Sequence, residues 1–440
     1  MNRAFVPRAL AALAMLLAAA SCATSGNAPL ARLEAPPARA SFDAALVARG
    51  AELAAIGDCR GCHTAQGGRS LAGGRPLETP FGTIYSTNIT PDARTGIGLW
   101  SEAAFARAMR EGLDRGGRHL YPAFPYDRFT LASDADVHAI YAYLMTRPAV
   151  AARAPRNRLA FPFNVRAFIG FWKALYFHPG RYRDDPAHDA TWNRGAYLAE
   201  GLGHCSSCHT PRNALGAERA DRHFEGGEAE GWHAYAIGAH SQSPVPWTGE
   251  AMARYLAHGW HPAHGVSRGP MAPVTRALAK ADPRDVDAMA RYIVSLGNGG
   301  RRGALDRRAS SAGDAQGARL YEDACARCHS GDEALPFGGI ALSRSIGVAG
   351  EDPRNLVNVI LYGLPAADGT SGPIMPGYAG ALTDAQVVSL ARDLRARFSG
   401  KPPWRDLDAV VRKARAAGPD IARIPAGGAG ADPAVVAEER

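Results

Sequence analysis

The sequence has no run of apolar residues long enough to cross a bilayer. Its best candidate, Ala9 to Ala20, has the length of a signal-peptide core rather than of a membrane span. It also has no run of basic residues and no basic helix face. The formal net charge of +8 therefore does not mark a nucleic-acid binder. There is no Walker-type loop, no HExxH and no GxSxG. Nucleotide-driven, metalloprotease and serine-hydrolase chemistry are excluded on that ground, and no catalytic residue is assigned. The histidine-rich stretch from 238 to 264 reads as loops. With 46% hydrophobic and 21% charged residues, the chain has the composition of an ordinary folded soluble protein.

The N-terminus carries Arg3 and Arg8 ahead of the apolar stretch, the pattern of an exported chain, so residues 1–22 are read as a signal peptide. Cys22 follows Ala19-Ala20-Ser21. That resembles a lipoprotein processing site without the preferred Leu three positions upstream, and lipid there would anchor the chain to a membrane surface. Ordinary cleavage nearby is the rival reading.

Seven cysteines are present, and six fall into three pairs, each followed at once by histidine: Cys59-Arg60-Gly61-Cys62-His63, Cys205-Ser206-Ser207-Cys208-His209 and Cys325-Ala326-Arg327-Cys328-His329. A CxxC pair alone is compatible with half a zinc site, a dithiol or a disulfide. Repeated with an adjacent histidine, it is the pattern of covalent haem attachment. Two thiols three positions apart add to the vinyl groups of one haem, and the next imidazole ligates its iron. Three covalently bound haem c groups are expected, with His63, His209 and His329 as the iron ligands. A structural zinc site would want further ligands at close spacing.

The motifs form a coarse internal repeat. Helical patterns lead into each: Ala45 to Ile56, Trp192 to Leu202 and Ala315 to Ala324. Each unit closes on a second: Asp134 to Met145, Pro283 to Leu296 and Thr383 to Phe398. The expected architecture is all-α, three tandem class I cytochrome c domains at 41–150, 191–300 and 314–399. An aromatic connector occupies 151–190, a Gly/Arg/Ser linker lies near 297–313, and 400–440 reads as a flexible tail with at most a short helix. The connector is either a strap packed on the haem domains or a docking surface.

Electron-transfer iron usually has two protein ligands, and thioether ligation raises the potential. Met271 lies on a Pro/Gly-rich loop 62 residues after His209, and Met375 on a similar loop 46 residues after His329. Both are expected as sixth ligands. The first unit has Phe124 at 61 residues after His63, which cannot bind iron. His119, Met109, Met145 or an open position remain for that centre. A bis-histidine first centre would have the lowest potential and suit electron entry. An open one would suit a haem peroxidase. Pro211 is a candidate for packing beside His209. Asn88 is a candidate for holding a haem propionate or for bracing a turn.

The strings TPFGTIYSTNITPD (79–92), LYPAFPYDRFT (120–130), YAYLMTRPAV (141–150) and WNRGAYLAEGLGHCSSCHTPRNALG (192–216), with Gly-Pro-Met at 269–271, resemble the triple-haem cytochrome c subunits of bacterial periplasmic dehydrogenases. The resemblance covers about residues 42 to 400. It implies electron transfer from a catalytic dehydrogenase partner to ubiquinone or a terminal oxidase, on the periplasmic side of the inner membrane. Two branches share these strings. One serves quinoprotein alcohol dehydrogenases. The other serves molybdenum hydroxylases, in which a molybdopterin protein works with an iron–sulfur subunit. Phe124 and His119 resemble the molybdenum branch, which is the expectation taken here.

Overall fold

The computed structural model describes residues 41–297, 313–329, 340–364 and 375–419. The expected signal peptide, Cys22 and most of the linker lie outside the described residues. The chain forms two compact units. One is built on the described residues up to Asp185 with Glu200–His204. The other is built on Pro186–Ala199 and the described residues from Cys205 onward.

In the first unit, helix α1 (Ala44–Ile56) starts at Asp43, whose carboxylate accepts from the N–H groups of Ala45 and Leu46 at 2.9 and 3.2 Å. A single turn, α2 (Cys59–His63), carries the first motif. Strands β1 (Pro76–Thr79) and β2 (Gly82–Tyr85) pair antiparallel, Pro76 opposite Tyr85. Helices α3 (Glu102–Glu111), α4 (Tyr126–Phe129) and α5 (Asp134–Thr146) follow, then β3 (Arg158–Leu159), which extends the ribbon beside β2, and helix α6 (Ala167–Tyr176). The Ser133 hydroxyl caps α5 through the Asp136 N–H, 3.1 Å.

The second unit runs through α7 (Ala190–Tyr197), whose π-turn continuation over Leu198–Leu202 passes at Glu200 into residues of the first unit, and α8 (Ser206–His209). Next come the ribbon β4 (Gly227–Ala229) and β5 (Trp232–Ala234), then α9 (Gly249–His258). A two-residue ribbon β6 (Trp260–His261) and β7 (Gly265–Val266) leads to α10 (Met271–Leu278) and α11 (Pro283–Gly297). The remaining helices are α12 (Ala315–Ala324), α13 (Ala326–His329), α14 (Ile346–Ala349), α15 (Arg354–Tyr362), α16 (Asp384–Ser399) and α17 (Leu407–Ala417). Thr383 and Gln386 form a reciprocal capping box at the start of α16.

Three helix pairs carry the frame: α1 on α5, α7 on α11 and α12 on α16. Each crosses at a glycine. A Cβ added to Gly50 would collide with the Ala139 carbonyl, one on Gly195 with the Ala288 carbonyl, and one on Gly317 with the Ser389 carbonyl. Around the first crossing Leu53, Ile56, Val137, Ile140 and Leu144 are buried.

The six main helices fall close to where the apolar period predicts them. Three features differ from expectation. The fold is largely helical but not purely α, because among the described residues three short antiparallel ribbons line the loops. Strands of two to four residues are too short to show a period of two in sequence. The connector is not one thing. Its α6 packs inward through Trp172, set edge-on to Tyr126, while Phe168, Phe171 and Leu175, at helical spacing, stay 47–50% exposed. Part of the expected tail is folded: Trp404, Leu407, Val411 and Ala414 are buried in the core formed with α15 and α16. Their spacing of four and three is an amphipathic stripe that the surrounding alanines hide.

Gly195→Ala and Gly317→Ala should each lower stability by about 1–3 kcal/mol, the usual cost of overpacking a tight contact. Thermal unfolding followed by circular dichroism checks this. An unchanged midpoint would mean the helices part without cost and that the crossings are not tight.

Candidate haem-attachment sites

The approach to the first two motifs is a left-handed residue directly before the first cysteine: Asp58 at φ 44° and His204 at φ 36°. Asp58 offsets the cost by accepting from the Gly61 N–H, 3.2 Å. The single helical turn that follows sets the two cysteines one turn apart, and the histidine comes next.

Each motif histidine is held the same way. His63 Nδ1 lies 2.6 Å from the Thr87 carbonyl, His209 Nδ1 2.6 Å from the Tyr235 carbonyl and His329 Nδ1 3.0 Å from the Ile340 carbonyl. A carbonyl only accepts, so Nδ1 carries the proton and Nε2 keeps its lone pair for a metal. Burial also lowers the proton affinity of His63 and His209, which favours the neutral imidazole that ligation needs. The carbonyls of His63 and His209 in turn accept from Gly73 and Gly226, both at 2.7 Å. Thr64 and Thr210, next in sequence, accept from the backbone N–H groups of Leu71 and Phe224 at 3.1 and 3.0 Å.

None of the six described cysteines is in a disulfide. Burial, with the nearby Asp58 and Cys62, pushes the Cys59 thiol up to about 12, and burial beside Cys328 pushes Cys325 up to about 11. A redox-active dithiol needs the opposite shift. Among the described residues no three His, Cys, Asp or Glu side chains are grouped to hold a metal ion, so they offer no zinc site. Paired thiols outside any disulfide, beside an imidazole with a free Nε2, fit a covalently attached haem.

Asn88 is buried and braces the loop beside Thr87. Its Nδ2 donates to the Val150 carbonyl at 2.7 Å and to Thr95 at 3.0 Å, and its Oδ1 accepts from the Thr90 N–H at 2.9 Å. The carbonyl of Pro211 accepts from the Arg219 N–H, 2.8 Å. Sequence reasoning does not find Thr87, Tyr235 or Ile340. They act through backbone carbonyls, which leave no mark in side-chain identity.

Of the candidate sixth ligands, Met271 opens α10, after Gly269 at φ 56°, whose added Cβ would stand 2.5 Å from Trp232. Met375 and Leu364 exchange both backbone hydrogen bonds, 2.9 and 3.1 Å. His119 stands opposite Leu113 in an antiparallel bridge whose hydrogen bonds fall on the flanking pairs, Asp114 N–H to the Arg118 carbonyl at 2.9 Å and Leu120 N–H to the Gly112 carbonyl at 2.8 Å, so its register differs from that of Met375. Its ring lies against α6: a Cβ on Gly170 would stand 3.0 Å from Nε2, and Lys173 Nζ is 3.4 Å from Nδ1. Phe124 packs edge-on to Phe129, 5.4 Å between centroids. Met109 and Met145 are buried.

Residues 47–148 match the cytochrome c family, and residues 312–392 match subunit III of the cbb3-type cytochrome c oxidase family. The fructose dehydrogenase cytochrome subunit of Gluconobacter japonicus is 34% identical over 88% of this chain and 86% of its own length. The alcohol dehydrogenase (quinone) cytochrome c subunit of Komagataeibacter europaeus is 34% identical over 86% of each chain. This chain belongs to the dehydrogenase cytochrome c subunits. A nicotinate dehydrogenase subunit of Pseudomonas putida is 45% identical over 87% of this chain, which spans only 33% of that relative. The expectation of a molybdenum-hydroxylase branch is thereby corrected. Cytochrome subunits of fructose, gluconate and quinone-type alcohol dehydrogenases are matched along 84–86% of their lengths. Phe124 misleads because its ring serves local packing on Phe129, a role either branch can fill.

His264 stacks on Trp247, 3.4 Å between centroids, and burial with neighbouring His261 lowers its pKa from 6.5 to about 4. The unfolded chain therefore takes up this proton first. Its contribution to stability is complete above pH 6.5 and declines as pH falls toward about 4. Thermal midpoints across that window should fall less steeply for His264→Phe than for the parent chain. Equal slopes would remove His264 as the cause.

Proposed function

We propose that the chain carries three covalent haem c groups in three tandem class I cytochrome c domains and relays electrons from a catalytic dehydrogenase subunit toward the respiratory chain. The observation that carries this is the threefold recurrence of a CxxCH turn whose histidine donates Nδ1–H to a backbone carbonyl. The bound haem supplies the one-electron chemistry. The chain's own residues fix the ligands. His63, His209 and His329 would each hold one haem iron, and Met271 and Met375 would supply a second protein ligand to the second and third. For the first centre His119, on the loop after α3, remains the candidate, although its ring lies on Gly170 and Lys173 of α6. The relay needs no residue of this chain to abstract a proton or attack a substrate. The donor is a dehydrogenase of the quinone-linked alcohol or sugar type, and ubiquinone or a terminal oxidase is the acceptor.

The α6 face is the membrane contact of this periplasmic subunit. Between Asp136 and Asp184 the sequence has no acidic residue and eight basic ones, Arg147, Arg153, Arg156, Arg158, Arg166, Lys173, Arg181 and Arg183. Phe161, Phe168, Phe171 and Leu175 are exposed among them. Apolar side chains framed by cations suit an anionic phospholipid surface. No helix among the described residues is long and apolar enough to cross a membrane.

Two measurements test these statements. Pyridine haemochrome assay should give three haems per chain, falling by one in Cys205→Ser/Cys208→Ser. A parent value of two or fewer sinks the triple-haem reading. Phe168→Asp/Phe171→Asp should release the purified holoprotein from phosphatidylglycerol vesicles while leaving its haem spectrum intact. Undiminished sedimentation with the vesicles places the contact elsewhere, and loss of dehydrogenase co-purification instead assigns the face to a protein partner.

A further inference from the structure

The proximal support of the second centre is not self-contained. Tyr235, whose carbonyl takes the His209 Nδ1–H, directly follows β5. That strand is gripped from α15, far along the chain. Asn355 accepts from the His233 N–H through Oδ1 at 2.9 Å and donates from Nδ2 to the His233 carbonyl at 2.8 Å. Its side-chain amide therefore reads one residue of β5 as a neighbouring strand would. Asn358 Nδ2 donates to the Gly231 carbonyl at 3.3 Å, and Arg354 pairs with Glu228 on β4 at 2.9 Å. Trp232, at the start of β5, packs on Gly269 in the loop that carries Met271.

The far end of the same helix supports the third centre. Just past α15, Leu364 exchanges both backbone hydrogen bonds with Met375, and Tyr378 and Ala379 donate to the carbonyls of Ile360 and Leu361 at 3.0 and 2.9 Å. One short helix thus holds the acceptor for the proximal histidine of one centre and the backbone of the distal methionine of the next. Among the described residues the first centre has no counterpart. Its acceptor, Thr87, is braced by neighbouring Asn88 on the carbonyl of Val150 and on Thr95.

We infer that α15 mechanically couples the second and third redox centres, and that Asn355 is a positioning residue for His209. This rests on the triple-haem reading above. A firmly placed carbonyl draws the Nδ1 proton, pushes electron density toward Nε2 and stabilises oxidised iron. Loosening β5 weakens that bond, so the second centre becomes easier to reduce. Because α15 answers to both sites, release at its Asn355 end also disturbs the Met375 strand.

The test is a spectroelectrochemical titration of the purified holoprotein and its Asn355→Ala and Asn355→Asp variants, with haem content measured on each. The second centre is assigned by the loss of its methionine-ligated signal in Met271→Leu. Aspartate keeps the acceptor for the His233 N–H, loses the donor and adds a negative charge, which by itself lowers the potential of a nearby iron and so opposes the upward shift. The expected result is an upward shift in the second centre's potential, larger for alanine than for aspartate. A smaller shift is expected at the third centre and none at the first. A lowered thermal midpoint with all three potentials unchanged would overturn the inference and leave Asn355 as packing alone. A shift at the second centre with the third unmoved would overturn the coupling. Fewer than three haems in the parent protein would instead overturn the triple-haem reading, and is seen before any titration begins.

Discussion

Backbone-to-backbone contact between paired helices is the constraint on which the rest of this structure depends. At Gly50, Gly195 and Gly317 a helix lies so close to its partner that no side chain fits between them. Such an approach fixes the crossing without filling the interior, and leaves the space beside it to be lined by loops. A haem-sized group bound there would add to the apolar interior, and the helices need only deliver the motif turn to its edge.

The loops then solve one problem in three ways. Each must present a carbonyl to Nδ1 of the motif histidine. At the first motif the loop braces itself through Asn88, at the second β5 is held from α15, and at the third the acceptor is Ile340, eleven residues after the histidine. What recurs is the hydrogen bond and its consequence for Nε2. The residues supplying it, Thr87, Tyr235 and Ile340, share no chemistry in their side chains.

This explains what was legible in the sequence. The CxxCH turns, the cap residues Ser133 and Thr383, and the main helices declare themselves by identity and period. The ribbons do not, being too short, and the buried stripe of α17 is masked by alanine. The grip of Asn355 on His233 spans 122 residues, beyond any local pattern. In sequence Phe124 reads as a mark of the partner enzyme, whereas its ring packs on Phe129. One side chain with a packing role could not distinguish two branches that share the surrounding strings.

The thiols set an order of events in the making of the protein. Once α1 and α2 have formed, Cys59 sits beside Asp58 with its proton held to about 12, and Cys325 to about 11. A thiol so reluctant to ionise is a poor nucleophile, so addition of these sulfurs to a vinyl group is favoured before their burial is complete.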